Sequence, residues 1–483
     1  MAATDKKWEV VIGLEVHAQL STKTKIFCGC RSEFGAPPNS RICPVCMGMP
    51  GVLPVLNEQT VEYGVKAGIA MNCKIASYSR FARKNYFYPD SPKGYQISQF
   101  EEPLCENGYI TIGSDSGSKK IGITRIHLEE DAGKSMHEPN RPESKVDLNR
   151  AGVPLLEIVS EPDLRSPEES YEYLVKLKQI LRYLDISDCN MEEGSLRCDA
   201  NISIRELGEE KFGTKTELKN MNSFRGVEKA LHAEIKRQKE TLESGGKIVQ
   251  ATNLWDENSG EIRQMRAKEG SDDYRYFPEP DIVPFTVDEA YVKIIKENLP
   301  ELPEKRNARF VSEYELKNEH ALVLTASRGV AEYFEELATL TGDPKNSANW
   351  VMGNINRVLN EKEKPIGEFA IPPVRLAELI KSVSDGGISI SAAKSVFDEM
   401  LTDESSVESI IEKLGLKQVS DSSEIDKIVQ GVIDSNPEEA ERYKSGEGKL
   451  KGWFVGQIMK ASHGKANPQI ANESLDRLLN IDS

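Results

Sequence analysis

The chain has 483 residues, too many for one hydrophobic core, and so predicts two to four domains. Its residues are 38% hydrophobic and 29% charged, as in an ordinary soluble protein. The sequence has no run of about 18 apolar residues, so we expect no membrane-spanning helix. The formal net charge of −16 argues against a general nucleic-acid coat, although one local basic patch still allows a nucleic-acid partner.

The location in the cell is predicted from the first residues and from the cysteines. The start of the chain has neither the apolar segment of a secretory signal nor an Arg/Ser-rich transit pattern, so we expect a cytoplasmic protein. Four of the eight cysteines are scattered singly, which fits a reducing compartment better than a disulfide scaffold. These four are Cys73, Cys105, Cys189 and Cys198.

The first part of the chain, to about residue 290, mixes predicted strands with a few helices. Short runs rich in apolar and β-branched residues predict strands at 10–17, 121–127, 153–159 and 196–205.

Two helices in this part are predicted from their capping residues. Ser166 is a good N-cap, Pro167 suits the first helical position, and Glu169 completes a capping box. Apolar residues then recur at helical spacing. The second helix runs from about Ser223 to Glu243 and stops at a pair of glycines.

From about residue 295 the chain is charged, helical in period and poor in strand-forming residues. A proline-rich stretch at 364–373 and a polar segment at 420–423 separate groups of helices. The sequence therefore predicts an α+β multidomain protein with a mixed α/β body, an all-helical middle domain and a small helical tail. The predicted ranges are 1–293, 294–407 and 408–483.

A metal site is predicted from four cysteines near the N-terminus. Cys28 and Cys30 form one short pair, and Cys43 and Cys46 form the other. Two such pairs in turns supply the four thiolates of a tetrahedral Zn²⁺ shell, which leaves no ligand position for a substrate. We therefore predict a structural zinc knuckle over residues 28–46, with a redox dithiol as the alternative.

Acidic residues near several predicted strands indicate a second cation site. Glu15 and His17 are two positions apart on one strand and so share a face. Glu130 follows the second predicted strand, and Asp199 lies on the fourth. Oxygen ligands from several strand ends are what Mg²⁺ takes. For Glu15 and His17 alone, an exposed polar face is an equally good interpretation.

Gly133, Lys134 and Ser135 look like the end of a phosphate-binding P-loop. The full pattern needs a glycine five residues before Gly133, where this chain has Leu128. We therefore expect no P-loop here, and divalent ions would bridge any nucleotide to the carboxylates.

Two segments are dense in basic and aromatic side chains: residues 83–90, with Lys93 nearby, and residues 269–278. Each alone could be a solvated loop with stacked aromatic rings. Together they could wall a cleft that binds phosphate, adenine and the end of an acceptor stem.

The tail carries a local basic patch that the overall charge lacks. Between Tyr443 and Lys465 lie five lysines and one glutamate. An ordinary helix surface and a phosphate-contacting surface both fit this pattern. The lysines are Lys444, Lys449, Lys451, Lys460 and Lys465, and the glutamate is Glu447.

Residues 146–163, VDLNRAGVPLLEIVSEPD, combine charged pairs, a glycine turn, a proline and an apolar strand. This run resembles the signature of the GatB family, the B subunits of the glutamyl/aspartyl-tRNA amidotransferases. Further segments also fit that family, so the resemblance covers essentially the whole chain. They are 13–17, 83–99, 128–134, 191–204, 213–224, 268–281 and 451–460.

The resemblance implies a cradle-like catalytic body with a kinase site, a helical middle domain and a YqeY-like tail that binds tRNA. It implies an ATP- and Mg²⁺-dependent enzyme that phosphorylates the side-chain carboxylate of Glu on tRNA(Gln) or of Asp on tRNA(Asn), after which ammonia displaces phosphate. Glutamine would be hydrolysed by an amidase partner, the A subunit, and a small C subunit would complete a heterotrimer. A non-catalytic tRNA-docking scaffold is the alternative function.

The resemblance also implies roles for single residues. The four cysteines suit the zinc-bearing members of the family. The expected catalytic Mg²⁺ shell is Glu15, His17, Glu130 and Asp199. Among the expected cofactor-binding residues, Lys84 and Lys93 would neutralise phosphate or line the ammonia path. Glu217 and Glu257 would be weaker Mg²⁺ ligands that act through water, and Arg275, like Arg197, would form ion pairs in the same cleft.

Overall fold

The computed structural model describes residues 8–113, 117–137, 143–267, 274–417, 422–462 and 466–479. The chain divides after Pro303 into two compact units. The first unit contains strands and helices, and the second is helical. The predicted α+β multidomain class is therefore confirmed.

The first unit is built from strands and helices of varied length. Its strands are β1 (Trp8–Gln19), β2 (Lys74–Ile75), β3 (Tyr78–Ser79), β4 (Ala82–Asn85), β5 (Tyr95–Ser98), β6 (Cys105–Ile112), β7 (Lys119–Glu130), β8 (Lys134–His137), β9 (Ser144–Asp147), β10 (Pro154–Ser160), β11 (Leu196–Glu206), β12 (Thr216–Lys219), β13 (Ala251–Asp256), β14 (Glu261–Ala267), β15 (Phe277–Pro278) and β16 (Phe285–Thr286). Its helices are α1 (Glu58–Ala70), α2 (Pro167–Tyr183), α3 (Phe224–Glu243) and α4 (Glu289–Glu297).

A nine-stranded sheet organises this unit, in the order β14-β13-β12-β11-β1-β10-β7-β6-β2. Neighbouring strands are antiparallel except β12 and β13, which are parallel. The four strands predicted from the sequence are all present, as β1, β7, β10 and β11. They are adjacent to one another, in the order β11-β1-β10-β7, at the middle of the sheet.

The two faces of β1 have different neighbours because successive side chains on a strand point to opposite sides. Leu14, Val16 and Ala18 belong to the hydrophobic core that the sheet shares with α1, α2 and α3. Glu15 and His17 therefore point to the other face. Helix α1 can approach the sheet closely because Gly64 has no side chain. A Cβ at this position would lie only 2.5 Å from Leu104 Cδ2.

The capping predictions for α2 and α3 are confirmed at the N-caps. The Ser166 side chain accepts a hydrogen bond from Glu169 N at 3.2 Å, and the Ser223 side chain accepts one from Gly226 N at 2.9 Å. The second half of the predicted capping box is wrong. A capping box needs Glu169 to accept from the backbone N–H of the N-cap residue Ser166. Glu169 Oε2 instead accepts from Arg165 N at 2.8 Å and from Lys119 of β7.

The second unit is a series of helices. They are α5 (Pro303–Glu313), α6 (Asn318–Leu324), α7 (Arg328–Thr341), α8 (Pro344–Trp350), α9 (Asn356–Lys362), α10 (Pro373–Ser384), α11 (Ile390–Met400), α12 (Val407–Lys413), α13 (Ser422–Ser435), α14 (Pro437–Lys444), α15 (Leu450–Ala461) and α16 (Pro468–Leu478). A π-helical turn at Val351–Ile355 joins α8 to α9, and a 3-10 turn at Ile366–Glu368 precedes α10.

Hydrophobic cores indicate where the domains of the chain end. One core of the second unit extends from Phe310 to Ile411, and another extends from Ile425 to Leu479. The predicted boundary after residue 407 falls inside α12, and the one after residue 293 falls inside α4, whose Ile295 belongs to the core of the first unit. We therefore propose domain boundaries after Pro303 and after α12.

No helix in the described part of the chain is both long and apolar enough to cross a membrane.

Candidate active site

A row of ionisable side chains crosses four neighbouring strands on the sheet face that lies opposite the core. Backbone pairing places Glu15 beside Asp199 of β11 and His17 beside Glu157 of β10. Glu157 in turn lies beside His127 of β7. Residues paired across antiparallel strands share a face, so these five side chains lie on one surface.

His17 lies at the centre of what we call the carboxylate cluster: Glu15, His17, Glu129, Glu157 and Asp199. His17 Nε2 is 3.3 Å from Glu157 Oε2, 3.5 Å from Glu129 Oε1 and 3.8 Å from Glu15 Oε1. Glu129 and Glu157 are buried, whereas the other three are partly exposed. The cluster therefore opens to solvent on the side of β1 and β11.

Two carboxyl groups of the cluster have pKa values shifted in opposite directions. Burial, together with the charge of Glu157, raises the pKa of Glu15 above its usual value. Burial also disfavours the charge of Glu157, but His127 and His17 lower the pKa of Glu157 well below its usual range. A cation bound here would favour the ionised form of Glu15 as well.

Two lysines bring positive charge to the cluster. Lys219 of β12 forms an ion pair with Asp199. Lys84 of β4 is partly buried, which lowers its pKa, but the charges of Glu129 and Glu157 raise that pKa above its usual value. Burial lowers the pKa of Lys219 as well, but Asp199 and Glu217 raise that pKa above its usual value. Both ammonium groups are therefore charged at neutral pH and offset part of the negative charge of the cluster.

The donor set fits a divalent cation. Ligand atoms of Glu15, His17 and Asp199 lie within 4.8 Å of one another, and so do those of His17, Glu129 and Glu157. Carboxylate oxygens with one imidazole nitrogen suit Mg²⁺ or Mn²⁺, whose remaining positions take water or phosphate oxygens. The arrangement can hold a cation beside a phosphate group.

The four cysteines also converge, in the segment between β1 and α1. Their sulfur atoms lie within 4.8 Å of one another. The backbone N–H of Cys43 donates to Cys46 Sγ at 3.1 Å. A hydrogen bond with the Cys28 side chain lowers the pKa of Cys46 to about 4. This group could bind a metal such as zinc.

A cavity of about 200 Å³ lies beside the cysteines. Lys25, which is fully buried, reaches it and donates to the Leu148 carbonyl at 3.3 Å. Lys93 and Glu130 form an ion pair on its wall. Glu130 Oε1 also accepts from Ile97 N at 2.8 Å. The cavity is therefore lined by charged groups that are already paired.

Comparison with known proteins places this architecture in a family. The model described as the GatB/GatE catalytic domain matches residues 10–293, and the model described as the GatB domain, of the YqeY type, matches residues 332–479. The chain belongs to the GatB family. The resemblance seen in the signature at 146–163 is thus confirmed, and the YqeY-type match begins in α7, well before the predicted tail.

Relatives of this GatB chain are named as the B subunit of aspartyl/glutamyl-tRNA(Asn/Gln) amidotransferase. The protein from Thermodesulfovibrio yellowstonii is 56% identical over 473 residues, which are 98% of this chain and 99% of the relative. The protein from Chlorobium chlorochromatii is 55% identical over 468 residues, with 97% and 98% covered. That from a Thermoanaerobacter species is 54% identical over 469 residues, also with 97% and 98% covered.

The structure places Glu130 apart from the carboxylate cluster of this GatB chain, contrary to the expected Mg²⁺ shell. Glu129 and Glu130 are neighbours on β7 and so point to opposite faces of the sheet. Glu129 approaches His17, whereas Glu130 pairs with Lys93 beside the cysteines. Of the four expected shell residues, Glu15, His17 and Asp199 lie together, and Glu129 takes the place expected for Glu130.

The other expected cofactor-binding residues lie at different distances from the cluster. Glu217 is buried on β12, where Lys219 Nζ lies 3.3 Å from it and links it to the cluster. Lys93 lies at the cavity rather than with Lys84. The structure places Glu257 in the exposed turn between β13 and β14, and Arg275 in an exposed position just before β15.

The two basic and aromatic segments do come together, because β4 pairs with β15. Lys84 Nζ lies 5.1 Å from the ring centroid of Tyr274, and Tyr276 stacks on Phe100 at 4.1 Å. Residues 269–273 of the second segment, and Lys465 of the tail, lie outside the described residues. Lys134 and Ser135 begin strand β8 and not a helix, which agrees with the expectation that they form no P-loop.

Three residues of this GatB site were missed from the sequence: Glu129, Glu157 and His127. Glu157 carries a signal, since it is the one charged residue in the apolar strand PLLEIVS. His127 and Glu129 are two positions apart near the end of β7, which is the same spacing that singled out Glu15 and His17.

Proposed function

We propose that this chain is the B subunit of a tRNA-dependent amidotransferase and that it carries the ATP-dependent step. The step acts on Glu attached to tRNA(Gln), on Asp attached to tRNA(Asn), or on both, and leads to the amide. The observation that supports this most directly is the convergence of Glu15, Glu129, Glu157 and Asp199 around His17.

The chemistry explains why such a site is needed. A side-chain carboxylate is a poor acyl donor because its oxygen is a poor leaving group. One carboxylate oxygen attacks the γ-phosphorus of ATP, the bond from that phosphorus to the bridging oxygen breaks, and ADP leaves. Ammonia then attacks the carbonyl carbon of the acyl phosphate and loses a proton, and phosphate leaves with the former carboxylate oxygen. Phosphoryl transfer requires mainly positioning and charge neutralisation.

The carboxylate cluster and its two lysines would provide the positioning and the charge neutralisation that phosphoryl transfer requires. The cluster would hold Mg²⁺, which when bound supplies positive charge beside the transferring phosphoryl group. Lys84 and Lys219 would neutralise phosphate oxygens. Lys219 is paired with Asp199, so a cation that takes the charge of Asp199 makes Lys219 available to phosphate.

We assign Lys93 and Glu130 to the ammonia path and not to phosphate. They form an ion pair on the wall of the cavity beside the cysteines. Polar groups on the wall of such a path would give neutral ammonia hydrogen-bond partners as it travels. The cysteines would hold Zn²⁺ and so fix this wall.

The partners follow from what this chain lacks in sequence. No Ser/Lys-rich amidase motif is visible, so ammonia would come from glutamine hydrolysed by the amidase partner, with the small third subunit completing a cytoplasmic heterotrimer.

The tail would bind the tRNA. Lys444 pairs with Glu441 and Lys451 pairs with Asp476. The exposed Lys449 and Lys460 are therefore the better phosphate contacts.

The test is a reconstituted reaction with the amidase and small partner subunits, Mg²⁺-ATP, glutamine and each mischarged tRNA. We expect amidated tRNA that requires ATP. Replacing Glu157 by Gln should slow amidation at least about 100-fold with unchanged tRNA affinity. Glu168→Gln, on the exposed surface of α2, is the matched control and should not change the rate.

A non-catalytic scaffold predicts a different result from the same pair of variants. In that case the carboxylates are structural, and amidation by Glu157→Gln stays equal to that of the control whenever tRNA binds normally. Zinc content and thermal melting of both variants show whether they are folded.

A further inference from the structure

A second histidine, His127, lies behind the carboxylate cluster. It is 3% exposed, whereas the side chain of His17 is 15% exposed. Its atoms belong to neither of the candidate cation-binding groups found among the described residues of the cluster. His127 is therefore a buried polar group that the proposed mechanism has not used.

We infer that His127 is a positioning residue that fixes Glu157 and Glu129 in the orientation in which they bind the divalent cation. The inference rests on the proposed function and goes beyond it, since it concerns a residue that touches neither cation nor substrate.

The contacts of His127 support this role. Its Nε2 lies 3.3 Å from Glu157 Oε2 and 3.8 Å from Glu129 Oε2. Glu157 Oε2 is also 3.3 Å from His17 Nε2, so one carboxylate oxygen is held between two imidazoles. The three residues His17, Glu157 and His127 are paired in register on β1, β10 and β7.

The opposite side of the His127 ring is also held. Arg125 Nε donates to His127 Nδ1 at 3.4 Å, and Arg125 NH2 lies 3.8 Å from Glu157 Oε1. The Arg125 bond requires a neutral imidazole. A protonated imidazole would lose only this bond, because it carries hydrogens on both ring nitrogens. Nε2 carries a proton in both states, so it donates to the carboxylates in either case.

Glu129 has a second fixed contact on the same side. Ser98 of β5 donates to Glu129 Oε2 at 3.1 Å, which leaves Glu129 Oε1 directed at His17, 3.5 Å away. Glu129 is thus held through Oε2, and Glu157 is held through Oε2 by His127 and through Oε1 by Arg125. Partners of this kind typically change metal affinity about 10–100-fold when they are removed.

Two polar replacements of different length separate positioning from mere burial. In His127→Gln the side-chain amide can place an N–H near the position of Nε2, whereas His127→Asn is one carbon shorter and withdraws that donor. His320→Asn on the partly exposed surface of α6 is the control, since His320 belongs to no candidate metal-binding group among the described residues.

The probe is Mn²⁺ alone, titrated into the full-length chain with free Mn²⁺ measured by electron paramagnetic resonance. We expect His127→Asn to weaken Mn²⁺ binding about 10–100-fold, His127→Gln to stay within a few-fold of the wild type, and the control to be unchanged. In the amidation assay, His127→Asn should need more Mg²⁺ for half-maximal rate while the rate at saturating Mg²⁺ changes little.

The outcomes distinguish this inference from the function it rests on. Equal Mn²⁺ affinity for His127→Asn and the wild type would overturn the positioning role, and so would equal losses in both His127 variants. The proposed function itself would be overturned if the wild-type chain formed no amidated tRNA. It would also be overturned if Glu157→Gln bound Mn²⁺ as well as the wild type does.

Discussion

Glu129 and Glu130 are adjacent in sequence but belong to different sites, one at His17 and the other at Lys93. Glu129→Gln should lower Mn²⁺ affinity at least about 10-fold because it removes a ligand charge. Glu130→Gln should leave that affinity unchanged. Mn²⁺ titration of both variants checks this, and the reverse order of affinities would show that the two residues have been assigned the wrong way round.

Asp131 anchors the side chain that lies next to His17 on β11. It is buried, and its carboxylate binds Arg197 at 2.9 Å and Gln19 at 2.8 Å, with Arg150 at 3.6 Å. Burial raises its pKa, but Arg197 and Arg150 lower it by more, to a net value below the usual 3.8. The ionised carboxylate therefore stabilises the fold above about pH 4, and this contribution is lost as the pH falls through the lower folded-state pKa.

Asp131→Asn should consequently destabilise the first unit at pH 7, because Arg197 and Arg150 lose their counter-charge. The loss should be about 3 kcal/mol or less, since both arginines are partly solvated. The difference from the wild type should begin to shrink below about pH 4, where the carboxyl of the unfolded wild-type chain becomes protonated, and should vanish below the lower folded-state pKa. Chemical unfolding at several pH values measures this. If the difference in unfolding free energy between Asp131→Asn and the wild type stayed the same in acid, the altered shape of the side chain and not its lost charge would cause the destabilisation.

At the residue scale the sequence predicts part of the site. Glu15, His17 and Asp199 follow from strand alternation, because their strands are long enough to fix which face each residue occupies. Glu129 and Glu130 could not be separated in this way. They end a strand of which only 121–127 was predicted, so the face of the last positions was open.

We propose that the cysteine knuckle, residues 28–46, is an element stabilised by a bound metal and not by a core of its own. Cys28, Cys30, Cys43 and Cys46 converge in a segment with little regular structure. We expect about one Zn²⁺ per chain and a lower melting temperature for the double variant Cys43→Ser, Cys46→Ser. Metal analysis and calorimetry test this, with Cys73→Ser as control. Unaltered melting of a zinc-free double variant would refute a structural role.

Helix and strand positions were predictable where local signals are strong. Ser166 and Ser223 cap α2 and α3 as expected, and β1, β7, β10 and β11 were all anticipated. The order of the nine strands was not predictable, because it depends on pairing between segments far apart in sequence. The parallel pair β12–β13, which brings Glu217 beside Thr252, is an example with no local signature.

At the scale of the whole molecule, the cores predict which parts can be removed. A chain that ends at residue 417 keeps α12 and loses only the core from Ile425 to Leu479. We expect it to assemble with the amidase and small partner subunits but to bind tRNA about 10-fold more weakly, because the local basic patch between Tyr443 and Lys465 is missing.

A chain that ends at residue 407 is the informative comparison. It also removes Ile410 and Ile411 from the core that begins at Phe310, and losing buried side chains of this size costs several kcal/mol. We expect this chain to melt at a lower temperature than the chain that ends at 417. Equal melting temperatures would contradict the boundary after α12, and undiminished tRNA binding by both would exclude the tail as a tRNA contact.

The account as a whole depends on activation of a carboxylate by phosphoryl transfer at the cluster around His17. The most direct measurement labels both side-chain carboxylate oxygens of Glu on tRNA(Gln) with ¹⁸O and determines the mass of the phosphate released during amidation. We predict one ¹⁸O atom in each phosphate formed, in equal amount to the amide, and labelled phosphate that forms at least about 100-fold more slowly with Glu157→Gln. Unlabelled phosphate accompanying normal amide formation would contradict the mechanism.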